Sequence, residues 1–194
     1  MKYEKIKRKI QKLQDDKRFE HTLGVTYTSI CLAMKYGADI EKAKLAGLLH
    51  DCAKQLPSDK LIKICQKNNI SISEVEYKNP FLLHGKAGTV LAKKKFKIKD
   101  EDIINAIFNH TTGRPNMSLL EKIVFVADYI EPGRSSAPNL MELRKLAFED
   151  LDLCLLKVLE GTLNYLNKNK DSIDPSTQKT FDYYLKEHTN NVNK

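Results

Sequence analysis

The stretch LAGLLHD, residues 45–51, decides the fold of this 194-residue chain. It is apolar on nearly every side until its last two positions, which is typical of a helix buried in the middle of a bundle. It ends on His50 and Asp51, an imidazole and a carboxylate side by side at the end of an otherwise buried helix. Pro57 ends the region, and we expect Ser58 to cap the next helix. The starting prediction is therefore a helical core with polar groups at its centre.

Outward from this stretch, apolar residues recur at three- and four-residue spacing almost throughout, and no alternating run is long enough for a sheet. The predicted fold class is all-α, a single-domain helical bundle. A helix that carries His21 is expected to run until Gly37, a typical C-terminal stop. Ser118, followed three residues later by Glu121, predicts a capping box at the start of another helix. Helices are predicted over residues 83–96, 102–110, 118–130, 143–148, 151–166 and 177–185.

The boundaries of the domain follow from the same pattern. We expect an N-terminal helix within residues 1–17, packed on a domain that spans residues 18–188, and a frayed tail at residues 189–194. Residues 131–138 hold two prolines, one glycine and two serines, which predicts the clearest loop in the chain.

Composition limits the classes of protein that fit. Lys and Arg number 33 against 25 Asp and Glu, for a net charge of +8, and 41% of the residues are apolar. This mixture predicts a globular chain rather than a disordered or fibrous one. The positive charge suits nucleic acid, an anionic membrane or a phosphorylated small molecule, without choosing among them. The four cysteines form no C-x-x-C pair, and no apolar run approaches the roughly 20 residues of a membrane span, so we expect free thiols and a cytoplasmic protein.

Asp128 is the most informative position, because it interrupts the apolar run IVFVADYI at residues 123–130. An unpaired buried carboxylate is costly, so such a residue is salt-bridged, hydrogen-bonded to a helix end or bound to a metal. Asp51 and Asp128 could therefore each form a buried salt bridge to Lys or Arg. The histidines favour a metal instead, because four of the five fall inside or at the edge of predicted core helices. These four are His21, His50, His84 and His110.

So many polar groups in a small core call for a common partner, and a divalent cation supplies one. A set of imidazoles and carboxylates without thiolates suits iron, manganese or zinc in a catalytic role. Cys52 is adjacent to Asp51, but it points elsewhere on the helix and is interpreted as core packing.

Arginine is scarce, with five residues among the 33 basic ones. Three of the five, Arg18, Arg114 and Arg134, lie within six residues of the histidines and carboxylates described above. Lys54 likewise follows Asp51 by three. The planar fork of Arg binds phosphate oxygens in a bidentate manner, so this distribution indicates a phosphate-bearing substrate.

The order His21, His50-Asp51, further His and then Asp128 resembles the signature of HD-domain metal-dependent phosphohydrolases. More closely, four segments resemble the bacterial YqeK family of symmetrical diadenosine tetraphosphate hydrolases, over about residues 18–184. The segments are HTLGVTYTSICLAMKYGADIEKAKLAGLLHDCAKQLP (21–57), LLHGKAGTVLAKKKF (82–96), NHTTGRPNMSLLEKIVFVADYIEPGR (109–134) and IDPST (173–177).

The resemblance implies an iron-dependent bis(5'-nucleosyl)-tetraphosphatase that cleaves diadenosine tetraphosphate at its centre to give two ADP, with manganese or zinc as alternative metals. The matching metal ligands are His21, His50, Asp51 and Asp128, and His84 and His110 match residues near the phosphates or at a second metal. The matching substrate-binding positions are Arg18, Asp51, Lys54, Gln55, Leu56, Pro57, His84, His110, Thr111, Arg134, Ile173, Pro175 and Thr177. The sequence departs from the family pattern at Lys86, where proline is common, and at Asp174, where histidine is common.

In the mechanism that we expect, the ion lowers the pKa of a bound water from near 16 to roughly 7, and the resulting hydroxide attacks a phosphorus of the bridge. Asp51 or Asp128 would orient this water. Arg18, Arg134 and Lys54 would offset the charge on the phosphoryl oxygens. His84 or His110 would protonate the leaving phosphate or complete the second metal site.

Three other interpretations remain open at this stage. Other HD proteins are nucleotidases, cyclic dinucleotide phosphodiesterases or alarmone hydrolases. A nucleic-acid-binding helical protein would need a basic stripe with interleaved aromatic residues, whereas the aromatic residues here sit mostly at core spacing. A purely structural helical scaffold would explain the periodicity but not the polar core residues. We therefore expect a small dinucleoside polyphosphate as the partner, neither nucleic acid nor membrane, and the oligomeric state, a homodimer among the options, stays open.

Overall fold

The computed structural model describes residues 2–168 and 173–192. Within these residues the chain forms α-helices and one 3₁₀ turn and no β-strand, which confirms the predicted all-α bundle. The helices are α1 (Tyr3–Gln11), α2 (Asp16–Tyr36), α3 (Ile40–Leu49), α4 (Ser58–Lys67), α5 (Glu74–Lys78), α6 (His84–Lys94), α7 (Glu101–Asn109), α8 (Leu119–Ile130), α9 (Leu140–Glu149), α10 (Leu151–Lys168) and α11 (Pro175–Val192), with the 3₁₀ turn (Pro80–Leu83) before α6.

The stretch at residues 45–51 lies at the centre of the bundle, as predicted. Residues 46–49 are all buried, and α3 packs against α2, α7 and α8. Gly47 faces α2 so closely that a Cβ atom at this position would collide with the backbone of Thr26. The absence of a side chain at Gly47 therefore sets the distance between α2 and α3, and it brings the residues that follow α3 beside α2.

The other helices cover this centre. α6 packs on α7, and α10 packs on α8, α9 and α11. Ile6 and Ile10 of α1 are buried in the main core cluster, so α1 packs on the domain through its apolar face. The domain boundaries at residues 17 and 188 stay predictions.

Several helix ends follow the predicted chemistry. Gly37 ends α2 in the left-handed conformation, with φ 71°. Ser118 and Glu121 form the capping box of α8. The predicted cap of α4 is wrong by one residue, because Pro57 takes the extended cap conformation and Ser58 is already the first helical residue.

The C-terminal tail continues the last helix. α11 extends to Val192, and the expected fraying of residues 189–194 stays a prediction. No Pro or Gly follows Pro175, so nothing in the sequence stops this helix early. Residues 193–194 lie outside the described residues.

Among the helices that the structure describes, none combines the length and the apolar character that a membrane crossing requires.

Candidate metal centre

The six polar residues that the sequence singles out converge on one point of the core. His21 comes from the second turn of α2, His50 and Asp51 from the end of α3, His84 from the start of α6, His110 from the end of α7, and Asp128 from α8. Their ligand atoms form three overlapping triads, and within each triad the atoms lie within 4.8 Å of one another. The triads are His21 with His50 and Asp51, His50 with His110 and Asp128, and Asp51 with His84 and His110.

The two carboxylates lie at the centre of the imidazoles. Nε2 of His21 lies 3.0 Å from Oδ1 of Asp128, and Nε2 of His50 lies 3.5 Å from Oδ2 of Asp51. On the other side, Oδ1 of Asp51 lies 3.2 Å from Nε2 of His84. Asp51 therefore contacts His50 through one carboxylate oxygen and His84 through the other.

Every imidazole uses Nδ1 for a hydrogen bond that leaves Nε2 facing the cluster. Nδ1 of His50 lies 2.7 Å from the carbonyl oxygen of Gly47. The corresponding partners are the carbonyl of Phe81 at 2.6 Å for His84, the carbonyl of Ile107 at 2.8 Å for His110, and Oε1 of Glu131 at 3.1 Å for His21. Because a carbonyl or carboxylate can only accept, Nδ1 carries the proton and Nε2 presents its lone pair, which is the arrangement of metal-ligating histidines.

Three of the atoms that face the cluster are buried and have no hydrogen-bond partner among the described residues. They are Nε2 of His21, Nε2 of His50 and Oδ1 of Asp51. Buried polar atoms normally have partners, because leaving one unsatisfied costs free energy. Convergent orphaned acceptors of nitrogen and carboxylate type fit a divalent cation, so the residues present are able to hold one.

The predicted alternative, salt bridges to the carboxylates, is present in the same cluster. Nη1 of Arg18 donates to Oδ2 of Asp51 at 2.9 Å, and Nη2 of Arg134 donates to Oδ1 of Asp128 at 3.0 Å. These pairs leave Oδ1 of Asp51 unsatisfied. The arginines thus add to the histidine cluster and leave atoms in it that a cation could bind.

The surroundings keep both carboxylates ionised. Burial alone would raise the pKa of Asp51, but its electrostatic interactions with His50, His110 and His84 outweigh it and hold this pKa well below its ordinary value. The same balance, led by the contact with His21, lowers the pKa of Asp128. Burial lowers the pKa of His84 to about 4, with His110 and Lys54 acting in the same direction and Asp51 opposing them. The centre is therefore built from anionic carboxylates and a neutral imidazole at His84.

A cleft of about 1040 Å³ opens beside His21, between α2 and the loop after α8. Four predicted substrate-binding residues line it, namely Arg18, Lys54, Gln55 and Arg134. Nζ of Lys54 also lies 3.4 Å from Nε2 of His84. The cleft thus offers room and positive charge next to the histidine cluster.

Thr111 also joins the cluster, since its hydroxyl lies 3.2 Å from Nε2 of both His84 and His110. Leu56 packs against the small cluster that contains Leu61, and Pro57 caps α4. Their predicted contacts with substrate stay predictions.

The remaining predicted residues lie at the start of α11. Ile173 precedes this helix, Pro175 is its first residue, and Thr177 is buried in its first turn. The hydroxyl of Thr180, one turn further on, donates to the carbonyl of Thr112 at 3.2 Å, so the start of α11 lies beside the loop that follows the histidine of α7. Substrate binding by these residues stays a prediction.

One interpretation of the sequence is wrong. Arg114 does not join Arg18 and Arg134 at the cleft, because its guanidinium group binds Glu121, with Nε to Oε1 at 2.7 Å and Nη2 to Oε2 at 2.6 Å. It also donates to the carbonyls of Pro115 and Asn116. Arg114 therefore stabilises the turn before α8.

The two departures from the family pattern also have structural partners. Lys86 forms an ion pair with the buried carboxylate of Glu76 at 2.7 Å. Asp174 accepts a hydrogen bond from the backbone N–H of Ser176 at 2.8 Å at the start of α11.

The sequence reasoning missed one buried residue of the site, Glu131. Its carboxylate contacts His21 and also accepts from the backbone N–H of Gly133 at 2.6 Å. A signal for it was present in the sequence, because this glutamate directly follows the apolar helix that carries Asp128 and lies inside the segment at residues 109–134 that resembles the family. Arg144, also missed, holds the same loop by donating to the carbonyls of Ile130, Glu131, Pro132 and Arg134.

The described residues form an all-helical bundle whose core gathers four imidazoles and two carboxylates able to hold a metal ion. Residues 18–133 match the family described as HD domain, which is more than half of the chain. The chain therefore belongs to the HD-domain family.

Named relatives extend this match over most of the chain. It is 39% identical to the bis(5'-nucleosyl)-tetraphosphatase, symmetrical, of Bacillus subtilis over 168 residues, which cover 87% of this chain and 89% of the relative. It is 41% identical to the protein of the same name from Halalkalibacterium halodurans, over 88% of this chain and 90% of that one. Among solved structures, it is similar to a predicted HD superfamily hydrolase involved in NAD metabolism from Clostridium acetobutylicum, with a TM-score of 0.93 and 45% identity over 96% of this chain and 98% of that one.

Proposed function

We propose that this protein hydrolyses dinucleoside tetraphosphates symmetrically, converting diadenosine tetraphosphate and water into two ADP. The observation that carries the proposal is the set of unpartnered buried atoms on His21, His50 and Asp51 beside the guanidinium groups of Arg18 and Arg134. Such a set combines a cation site with anion-binding groups, which is what cleavage of a polyphosphate requires. The names and identities of the relatives support the same reaction.

The residues that would hold the cation are His21, His50, Asp51 and Asp128, and iron is the metal that we propose, with manganese or zinc as alternatives. When bound, a divalent cation lowers the pKa of water and polarises phosphoryl oxygens. Asp51 and Asp128 stay ionised, so each carboxylate can accept a hydrogen bond from the O–H of an attacking water. Their role is to orient that water towards a phosphorus of the bridge.

Arg18, Lys54 and Arg134 would bind the phosphate chain. Arg18 and Arg134 now donate to the carboxylates, yet their side chains are 31% and 38% exposed, so they also face the cleft. The bond that breaks is the central P–O–P bridge. The water oxygen joins one phosphorus, the bridging oxygen leaves with the other phosphate and takes up a proton, and the charge on the phosphoryl oxygens is offset by these three cations.

His84 and His110 would serve a second role on the far side of Asp51. Their Nε2 atoms lie 2.9 Å apart, and both nitrogens present lone pairs because Nδ1 is bonded to a carbonyl in each. Two lone pairs at this distance repel unless a proton or cation lies near them. We therefore favour a second cation site formed with Asp51, and proton donation to the leaving phosphate is the alternative role.

The cytoplasm is the compartment that we propose, because all four cysteines are free thiols, as expected in a reducing environment. The partner is then a small dinucleoside polyphosphate.

Product analysis tests the reaction itself. Purified protein would be assayed with diadenosine tetraphosphate, a nucleoside monophosphate, a cyclic dinucleotide and guanosine tetraphosphate, and the products separated by chromatography. We expect ADP as the sole product from the first substrate, and little turnover of the others. AMP together with ATP would mean asymmetric cleavage, and preferred turnover of another substrate would assign the protein to a different HD-type phosphohydrolase.

Metal analysis tests the centre. We expect the purified protein to contain one or two equivalents of divalent metal, to lose activity on treatment with a chelator, and to regain it on addition of Fe²⁺. Full activity in metal-free protein would overturn the proposed role of the cluster.

A further inference from the structure

Glu131 differs from every other group that holds a histidine of the centre. The histidines His50, His84 and His110 all stand at the end of a helix or 3₁₀ turn, and each bonds the carbonyl three residues earlier. The last turn of an α-helix lacks intrahelical N–H donors for its carbonyls, so these oxygens can accept from an imidazole, and the carbonyl of Phe81 does so besides accepting the backbone N–H of His84. Their orientation is therefore fixed locally.

His21 is held differently. It lies inside α2, where the carbonyls one turn earlier accept the backbone bonds of the helix itself. Its Nδ1 bonds the carboxylate of Glu131, 110 residues away in the sequence. A distant side chain thus supplies the acceptor that the backbone provides for the other three.

The carboxylate of Glu131 is built into this position. The residue is 3% exposed, and within the described residues its only ion-pair partner is His21. Its second oxygen accepts from the backbone N–H of Gly133, which fixes the plane of the carboxylate. One oxygen is therefore committed to the loop, and the other is left for the imidazole.

Two glycines make room for the carboxylate. A Cβ atom at Gly24, one turn after His21 on α2, would collide with Oε2 of Glu131, and one at Gly133 would lie 3.0 Å from the same oxygen. Gly24 has ordinary helical geometry, so its lack of a side chain serves this contact and not the backbone.

We propose that Glu131 is a positioning residue for the metal centre, and that Gly24 exists to admit it. The carboxylate would hold His21 in the Nδ1–H tautomer, with Nε2 aimed at Asp128 and the bound cation. The residues fit such a carboxylate–histidine–metal arrangement, and the inference rests on the metal centre of the proposed function.

The first test measures the dissociation constant of Co²⁺ alone, by competition with a chromophoric chelator. We expect Glu131→Ala and Gly24→Ala each to weaken Co²⁺ binding roughly 10- to 100-fold, the usual effect of losing an outer partner of a ligand. Glu131→Gln should lose less, because its amide oxygen can still accept from Nδ1. Gly24→Ala is the sharper variant, since Ala is favoured over Gly in a helix and the clash is with the end of a flexible side chain.

Two matched variants control for folding. Glu76→Gln also neutralises a buried glutamate, one paired with Lys86, and Gly161→Ala adds a methyl to a helical glycine whose nearest neighbour, Oη of Tyr129, would lie at an ordinary 3.7 Å. We expect both to bind Co²⁺ as the unaltered protein does. Affinities of Glu131→Ala and Gly24→Ala within twofold of the unaltered protein would overturn the proposal.

The second test uses metal-free protein and ¹⁵N chemical shifts of the imidazoles. We expect His21 to be the Nδ1–H tautomer in the unaltered protein and a mixture of tautomers in Glu131→Ala, while His50 stays unchanged. An unchanged His21 tautomer would overturn the inference even if the protein is active. Absence of Co²⁺ binding by the unaltered protein would instead overturn the metal centre of the proposed function, so the two failures are distinguishable.

Discussion

His21 and His50 face the same two carboxylates but are held by opposite means. His50 is fully buried and bonds the carbonyl of Gly47 in its own helix, so the four residues from Gly47 to His50 contain the hydrogen bond that orients it. His21 borders the open cleft and depends on a carboxylate from the loop after α8. The centre thus has a locally determined half, around His50, and a second half, around His21, that forms only when distant segments of the chain meet.

The largest effect is expected at Asp51, the residue that joins the two halves. Asp51→Ala should lower kcat at least roughly 10³-fold, because stabilisation of several kcal/mol by a bound cation is lost and each 1.4 kcal/mol is tenfold in rate. Helix content by circular dichroism should be unchanged. Turnover of diadenosine tetraphosphate and the metal content measure the effect together.

Asp59→Ala is the control for this substitution, since Asp59 forms only an exposed pair with Lys63 on α4. Normal turnover and metal content in Asp51→Ala would show that neither half of the centre depends on the shared carboxylate.

The second-largest effect is expected at Arg18, which lines the cleft beside the centre. Arg18→Ala should reduce kcat/KM roughly 10- to 100-fold, because a charge-assisted bond to phosphate is worth about 1.5–3 kcal/mol. Its partner Asp51 keeps its imidazole neighbours, so Co²⁺ binding should persist. Steady-state kinetics with Arg8→Ala on α1 as control would check this, and a loss of Co²⁺ binding equal to that of Asp51→Ala would show that Arg18 serves the metal and not the substrate.

The same division explains what could be predicted from sequence. Helices α2, α3, α7 and α8, and all six residues of the centre, were predicted because helical periodicity and a polar residue in an apolar run are local signals. Glu131 was missed, since a glutamate beside Pro132 and Gly133 also fits an ordinary loop residue. Arg114 was misassigned because its partner Glu121 is revealed only when the turn before α8 folds back. Sequence spacing shows which residues are unusual and leaves open which distant partner each one meets.

The third effect tests the contact that brings the two halves together. Gly47→Ala should destabilise the protein by about 1–3 kcal/mol, because the new methyl meets the backbone of Thr26, which cannot move aside as a side chain can. Separation of α2 from α3 should also weaken Co²⁺ binding. Urea unfolding measures the stability, and Gly161→Ala serves again as the control. Unchanged stability would mean that α2 and α3 adjust their spacing freely.

The smallest effect on activity is expected from chemical modification of the cysteines. Their reactivity reports how accessible each half of the centre is to solvent. Cys31 lies exposed on α2, the helix of His21, whereas Cys52 directly follows Asp51 and is buried. Burial, with a contribution from Asp51, raises the pKa of Cys52 to about 12, so this thiol is protonated as well as shielded near pH 8. Cys154 is likewise buried, with its pKa raised to about 12, and burial also raises the pKa of Cys65.

Iodoacetamide should therefore modify one thiol per native chain and four after unfolding in urea. Activity should be unchanged, because a modified Cys31 does not contact the centre. Peptide mass spectrometry identifies the site, and rapid native modification of Cys52 would show that the half around His50 opens to solvent, contrary to its local, closed construction.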